Sequence, residues 1–429
     1  MRSLCRPLWL SVHDRCWVQA LLQVFSLEFG RGKGLVRAGQ PVSASDSFYR
    51  LVWGTFNAKG AFPDGILAGA LADGSIALWD PSKIVQGQGN ASLIAQLQAH
   101  KGPVKALEFN RLSPNLLASG GVDGELKIWA ITDPKAPTPY PAVAEAGAPG
   151  GSLGITHLTW NPKVAHILAT GTETGVVKVW DMKKRSLVME LADKQGRMKR
   201  FSVVAWHPVF ATQLVVGCAD DLSPLLQIWD LRKYTMPIRE LLGHEKGVVT
   251  ASWCTQDPGM LLSSGKDGRT ILWDVSPQQD LPLGQPIGEF SAGLGEYVHD
   301  LAWSPSNPGV FAAASLGGGE NHSGAVWIQT LAAFTEPRLH PQYSEDGFSG
   351  SSTAASAAPP LARAPVWLKR PAAATFGFGG RLVWVTNTKR QDGSVMATLS
   401  LKQDCCIGYL EQGYDQHSPG AVLQGSLYC

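Results

Sequence analysis

VKALEFNRLSPNLLASGGVDGELKIWA, residues 104–130, holds three short apolar runs separated by two turns. VKALEF alternates apolar with other residues and reads as a half-buried strand. NRLSPN turns the chain, and LLASGG (116–121) is a second, more continuously apolar strand. Asp123-Gly124 marks a hairpin turn, because both residue types tolerate positive φ. ELKIWA (125–130) is the third strand. A fourth, more variable strand follows in equivalent places, as in SLVMELAD (186–193) and PIRELLGH (237–244).

The unit recurs. IALWDP, VKVWDM, LQIWDL and TILWDV repeat the strand ending of LKIWAI. The closing tryptophans Trp79, Trp129, Trp180, Trp229, Trp273 and Trp327 are spaced 50, 51, 49, 44 and 54 residues apart. An earlier aromatic residue (Trp53, Phe109, Trp160, Trp206, Trp253, Trp303) precedes each by 20 to 26 residues. Four short antiparallel strands at such a period are the signature of a β-propeller blade. Residues 48–333 therefore resemble the WD-repeat family. The expected fold is all-β: a WD-repeat propeller of six full blades plus a partial seventh, then a three-stranded blade-like segment.

In that family a hydroxyl residue, an Asp, a His and the closing Trp form a hydrogen-bonded set. His100, Ser119, Asp123 and Trp129 fit it, as do His244, Ser263, Asp267 and Trp273, with 23 residues from His to Asp and six from Asp to Trp in both. Thr170, Thr174 and Trp180 keep the spacing with Thr in place of Asp, whereas CADDLSPLLQIWD has a longer turn and departs from it. A His with an orienting carboxylate also suits general-base catalysis. Recurrence at one fixed spacing assigns these groups instead to structural brackets that satisfy buried polar atoms. G-x-S-x-G, P-loop, H-E-x-x-H and EF-hand patterns do not occur, so no catalytic, cofactor-binding or metal-ligating residue is expected.

Composition agrees with a scaffold. The chain has 429 residues, 44% hydrophobic and 17% charged, enough to bury a large core. A net charge of +2 gives no global electrostatic case for nucleic acid or an anionic membrane as main partner. Lys183-Lys184-Arg185 and Lys369-Arg370 read as solvated faces. Seven cysteines without a C-x-x-C pair point to a reduced, intracellular protein without zinc. MRSLCRPLWLSVHDRCWVQALL is interrupted by His13, Asp14 and Arg15 and makes a poor signal peptide, and no stretch reaches the length of a membrane span.

The expected organisation is an irregular N-terminus with a partial first blade (1–47), the propeller (48–333), a Ser/Ala/Pro/Gly linker (334–365), a three-stranded insertion blade (366–402) and an unstructured tail (403–429). LLQVFSLEF (21–29) and AGQPVSAS (38–45) read as the two outer strands of a blade whose inner strands are missing. Beyond the linker, AATFGF (373–378), RLVWVTN (381–387) and SVMATLSL (394–401) form a sheet too small for a core of its own.

FYRLVWG (48–54), LWDPSKIV (78–85), HKGPVKALEFN (100–110), WNPKVAHILATG (160–171), AWHPVFATQLVVGCADD (205–221), LQIWDLR (226–232) and above all VWLKRPAAATFGFGGRLV (366–383) carry a further resemblance. Residues 48 to about 402 are similar to the family of the large outer-cage subunit of the COPII vesicle coat. The resemblance implies a non-enzymatic scaffold for transport from endoplasmic reticulum to Golgi, cytoplasmic and peripheral, at COPII-coated vesicles and endoplasmic reticulum exit sites. Its partners would be a small outer-coat propeller subunit and other coat propellers at cage vertices, with no nucleic acid and no direct membrane insertion.

On this analogy the late strands enter the open ring of the small propeller by β-augmentation. Phe376, Phe378, Leu382, Trp384, Val395 and Leu399 are the candidate contacts. Two alternatives stay open: the late strands fill this chain's own incomplete blade, or the ring is a different WD-repeat adaptor of the ubiquitin-ligase or nuclear-pore type. The family continues into a helical solenoid and a Pro-rich region. CCIGYLEQGYDQHSPGAVLQGSLYC has no such helices, so the expectation is a truncated form that builds no cage edge and stimulates no GTPase.

Overall fold

The computed structural model describes residues 20–28, 34–56, 60–140, 154–192, 200–275, 286–291, 298–315 and 325–331, together with the backbone of strands 373–377, 381–389 and 395–402. The chain forms two compact units, Met1–Ala362 and Arg363–Cys429.

The first unit is a propeller of six blades. Blades 1 to 5 (48–98, 104–139, 155–192, 201–242 and 248–291) are four-stranded antiparallel sheets in chain order, and blade 6 (298–330) has three described strands. First strands of successive blades pack on one another, which makes them the inner wall of the ring. Arg50 on the inner strand of blade 1 and Asp300 on that of blade 6 approach to 3.6 Å.

Both tryptophan series lie on a single rung. In blade 3, Trp160, Leu168 and Trp180 are direct cross-strand partners. The same rung recurs as Trp53–Leu67–Trp79, Phe109–Leu117–Trp129, Trp206–Leu214–Trp229 and Trp253–Leu261–Trp273. Cross-strand partners share a face of the sheet, so an aromatic residue flanks a leucine on each side. All five leucines are fully buried. Blade 6 departs: its rung is Trp303–Phe311–Gln329, and Trp327 sits two positions away, opposite Ala313. The long interval before Trp327 reflects that shift.

The rung of each blade packs on the preceding blade. Trp160, Leu168 and Trp180 share a core with Ala106, Ala118 and Ile128 of blade 2. Blade 1 finds its cover elsewhere. Residues 21–28 and 34–43 pair as a hairpin, and Leu22, Val24 and Val42 close over Phe48, Leu67 and Trp79. Two outer strands of a partial blade thus replace a complete neighbour.

In the second unit, strands Ala373–Gly377, Arg381–Lys389 and Val395–Lys402 form one antiparallel sheet in chain order.

Candidate functional site

His100, on the link into blade 2, meets Asp123 of the turn between that blade's second and third strands at 3.0 Å and Ser119 at 2.9 Å. Trp129 Nε1 donates to Ser119 Oγ at 3.0 Å. Blade 5 repeats the set: His244 lies 3.0 Å from Asp267 and 2.7 Å from Ser263, whose Oγ accepts from Trp273 Nε1 at 2.8 Å. The turns are tight because Gly124 and Gly268 take positive φ, at 72° and 75°.

The proton order follows from the inventory of donors. An indole only donates, so Ser119 Oγ accepts from Trp129. Burial opposes ionisation of Asp123, but the amides of Lys101 and Glu125 and the His100 ring outweigh it and hold the carboxyl below its usual range. An ionised Asp123 accepts, which places a proton on His100 Nδ1. Nε2 is then an acceptor for the Ser119 hydroxyl. Burial lowers the affinity of His100 for a second proton, although Asp123 pulls the other way.

This is the wiring of a Ser–His–Asp triad, without its chemistry. Ser119 and Ser263 are completely buried, and each oxygen is already bound by an indole. No electrophile reaches either one. His100, Asp123 and Glu125 also stand close enough to suggest a cation site. Both His100 nitrogens are engaged, however, and Asp123 accepts from the amides of Lys101 and Glu125, so the cluster reads as a bracket.

The other blades build partial versions. In blade 3 Trp180 Nε1 donates to Thr170 Oγ1 at 2.9 Å, while Thr174 bonds Thr172 rather than a histidine. In blade 4 the longer turn coincides with a substitute: Trp229 Nε1 donates to buried Gln227 Oε1. Blade 1 has Gly69 in the hydroxyl position, and the rings of Phe48 and Trp79 occupy the space a side chain there would need.

The inner wall holds a feature that strand periodicity did not reveal. Every inner strand carries a β-bulge at its second residue: Tyr49, Lys105, Thr156, Ser202, Val249 and His299. Bulges re-aim side chains, and these six residues line a central channel of about 560 Å³. The alternation of VKALEF is too short to show the extra residue; only its recurrence in register does. Elsewhere on the wall, His157 is held to a pKa of about 3 by burial, with Arg50 and Lys105 adding to the effect. Among the described residues its Nδ1 has no hydrogen-bond partner.

The candidate contacts of the late sheet divide by register. Phe376 is opposite Leu382, and Trp384 opposite Ala374 and Ser400, on one set of positions. Leu399 is opposite Val385 and Val395 opposite Lys389, on the alternate set. A pleated sheet sends alternate positions to opposite faces. Phe378 lies outside the described residues.

The fold and both sheets find counterparts among known proteins. The family model "WD domain, G-beta repeat" matches residues 91–130 and 235–274, which include the two complete brackets. The Protein transport protein sec31 of Aspergillus oryzae is 38% identical over 85% of this chain and 27% of its own length. That of Dictyostelium discoideum is 33% identical over 86% and 28%, and Sec31A of Danio rerio 32% over 86% and 30%. The WD-repeat part belongs to the Sec31 family. The chain spans less than a third of the length of these relatives. Among solved structures, a chain of "COPII on membranes, outer coat vertex" superimposes with a TM-score of 0.65 at 26% identity, covering 93% of this chain and 95% of that one. A second, from "The structure of the COPII coat assembled on membranes", gives 0.64 at 26%, covering 96% and 55%. Both similarities extend past the ring, beyond what a generic propeller explains.

Proposed function

We propose that this Sec31-family propeller is a structural scaffold of the COPII outer coat, acting in transport from endoplasmic reticulum to Golgi on the cytosolic side of the vesicle. The observation that carries the proposal is the similarity to an outer-coat vertex chain over 93% of the sequence, which takes in residues beyond the ring. The buried serines of the two brackets support a role without catalysis. Among the described residues no helix is long and apolar enough to cross a membrane.

The finer reading is that strands 373–402 complete the ring of a small outer-coat propeller. A sheet this small needs apolar neighbours, and its register distributes Phe376, Leu382 and Trp384 to one face and Val395 and Leu399 to the other. Apolar residues on both faces suit a blade held between two others. The test is co-purification of the small outer-coat propeller with the full chain and with a chain ending at residue 363. Retention by the full chain alone supports insertion. Equal retention moves the contact to the ring, and retention by neither leaves the late strands to serve this chain's own partial blade.

A further inference from the structure

The near-zero net charge conceals a segregation that the ring makes visible. Antiparallel blades place the turns after first and third strands at one end of the ring, and the remaining turns and inter-blade links at the other. Hydrogen bonds mark both ends. Asn110 Nδ2 reaches Ala165 O and Asn161 Nδ2 reaches Ala211 O, joining first turns of successive blades along a lower face. Lys266 reaches Asp221 across the second turns of blades 5 and 4 on an upper face.

On the lower face of blades 2 to 4, Arg111, Lys163, Lys183, Lys184, Arg232 and Lys233 are exposed. The aspartates that begin two of these turns face inward. Asp181 caps the amides of Lys183 and Lys184, Asp230 caps that of Arg232, and both are buried. Asp133 is the one exposed carboxylate among the described turn residues of this region. Large apolar side chains stand among the cations: Leu112, Val209, Phe210, Tyr234 and Met236 are between 48% and 66% exposed. The upper face has the opposite balance, with Asp46, Asp73, Glu173, Asp221 and Glu245 at its turns and links.

We propose that the lower face of blades 2 to 4 docks on an anionic phospholipid surface, with the lysines and arginines on headgroup phosphates and carboxylates and Phe210, Tyr234 and Met236 at the headgroup–acyl boundary. Two observations favour a bilayer over an acidic protein. Folding the aspartates inward leaves an almost purely cationic rim, which a negative membrane attracts. An acidic protein surface would neutralise the lysines but leave Phe210 and Met236 without apolar cover, whereas the bilayer boundary provides for both. The proposal concerns direct lipid contact by the ring and stands apart from the coat reading.

The test is sedimentation of the full chain with vesicles of phosphatidylcholine alone and of phosphatidylcholine with phosphatidylserine in a three-to-one ratio. Binding is expected only to the second and is expected to fall with added salt. Changing Lys163, Lys183, Lys184 and Lys233 together to Glu should weaken partitioning at least about tenfold. Phe210→Ser with Met236→Ser should weaken it at unchanged charge, and Lys246→Glu on the upper face should not. Circular dichroism melting checks that each variant is folded. Should the quadruple variant not fold, the Phe210/Met236 pair and the salt dependence decide. The proposal is overturned by equal binding to both vesicles, by undiminished binding of folded variants, or by no vesicle binding. Capture of soluble polyglutamate without vesicle binding would assign the face to an acidic protein instead.

Discussion

Trp53 Nε1 donates to Asp64 O at 2.6 Å inside its own blade, where four later inner-strand tryptophans reach back to the preceding one. Trp160, Trp206, Trp253 and Trp303 donate to the carbonyls of Glu108, Thr159, Ala205 and Ser252, each the residue just before the neighbouring blade's rung aromatic. Blade 1 follows only a two-stranded hairpin, whose described strands are the outer pair, so Trp53 turns to its own first loop. Phe109 cannot donate, and its ring packs on Gly54.

These indole bonds tie blade to blade. Trp206→Phe keeps the ring and removes one inter-blade hydrogen bond, so it should cost about 1 kcal/mol. Urea unfolding of this variant beside Trp160→Phe and Trp253→Phe should give similar losses. A negligible loss in all three would show that packing alone holds neighbouring blades.

The brackets should act on stability and not on binding. Ser263→Ala leaves the Trp273 indole and His244 Nε2 without their shared partner in a buried site, at a cost of about 1–3 kcal/mol. Co-purification with a coat partner should be unchanged below the melting temperature. Loss of binding by a fully folded Ser263→Ala protein would give the bracket a role that its burial argues against.

Blade 1 reverses the expectation that the repeat pattern sets. Gly69 occupies the position of Ser119 and Ser263, yet a Cβ there would lie 2.7 Å from Phe48 and 2.8 Å from Trp79. Gly69→Ser should therefore destabilise by about 1–3 kcal/mol through overpacking. Its melting temperature against the parent measures this directly, and an increase would mean that Phe48 moves aside and a new bracket forms.

Much of this architecture was legible because blades repeat. One unit, 104–130, contains the strand alternation and the Asp-Gly turn, and recurrence turns a weak local signal into a fold. What did not repeat in letters stayed hidden. The inner-strand bulges fall on Tyr, Lys, Thr, Ser, Val and His, which share no chemistry, so only strand register exposes them. Trp327 looked like a closing tryptophan until register placed Gln329 on the rung. The basic face escaped notice because Arg111, Lys163 and Lys233 lie far apart in sequence, and net charge averages them against the opposite face. In the late sheet, spacing named the apolar residues, but only strand pairing divides them between two faces.

Two histidines make the fold sensitive to acid. Burial lowers His157 to about 3, reinforced by Arg50 and Lys105, and lowers His207 to about 4. Both therefore stay neutral in the folded chain, while the unfolded chain protonates them near pH 6.5. Between pH 6.5 and 4 the unfolded state binds more protons, so stability must fall as pH falls through that window. Melting temperatures across it should decline, and His207→Gln should flatten the decline. An unchanged slope in that variant would assign acid sensitivity to other groups.

The late sheet offers the sharpest test of partner binding. Trp384 and Leu399 lie on opposite faces by register, so a blade inserted between two neighbours needs both, whereas a sheet lying flat on a surface needs one. Under insertion, Trp384→Glu and Leu399→Glu should each abolish retention of the small outer-coat propeller, since a carboxylate forced into an apolar interface costs several kcal/mol. Under surface packing, only one of the two should fail. The ring's own melting transition, followed in the same samples, separates lost contact from lost fold, because neither residue belongs to the propeller unit.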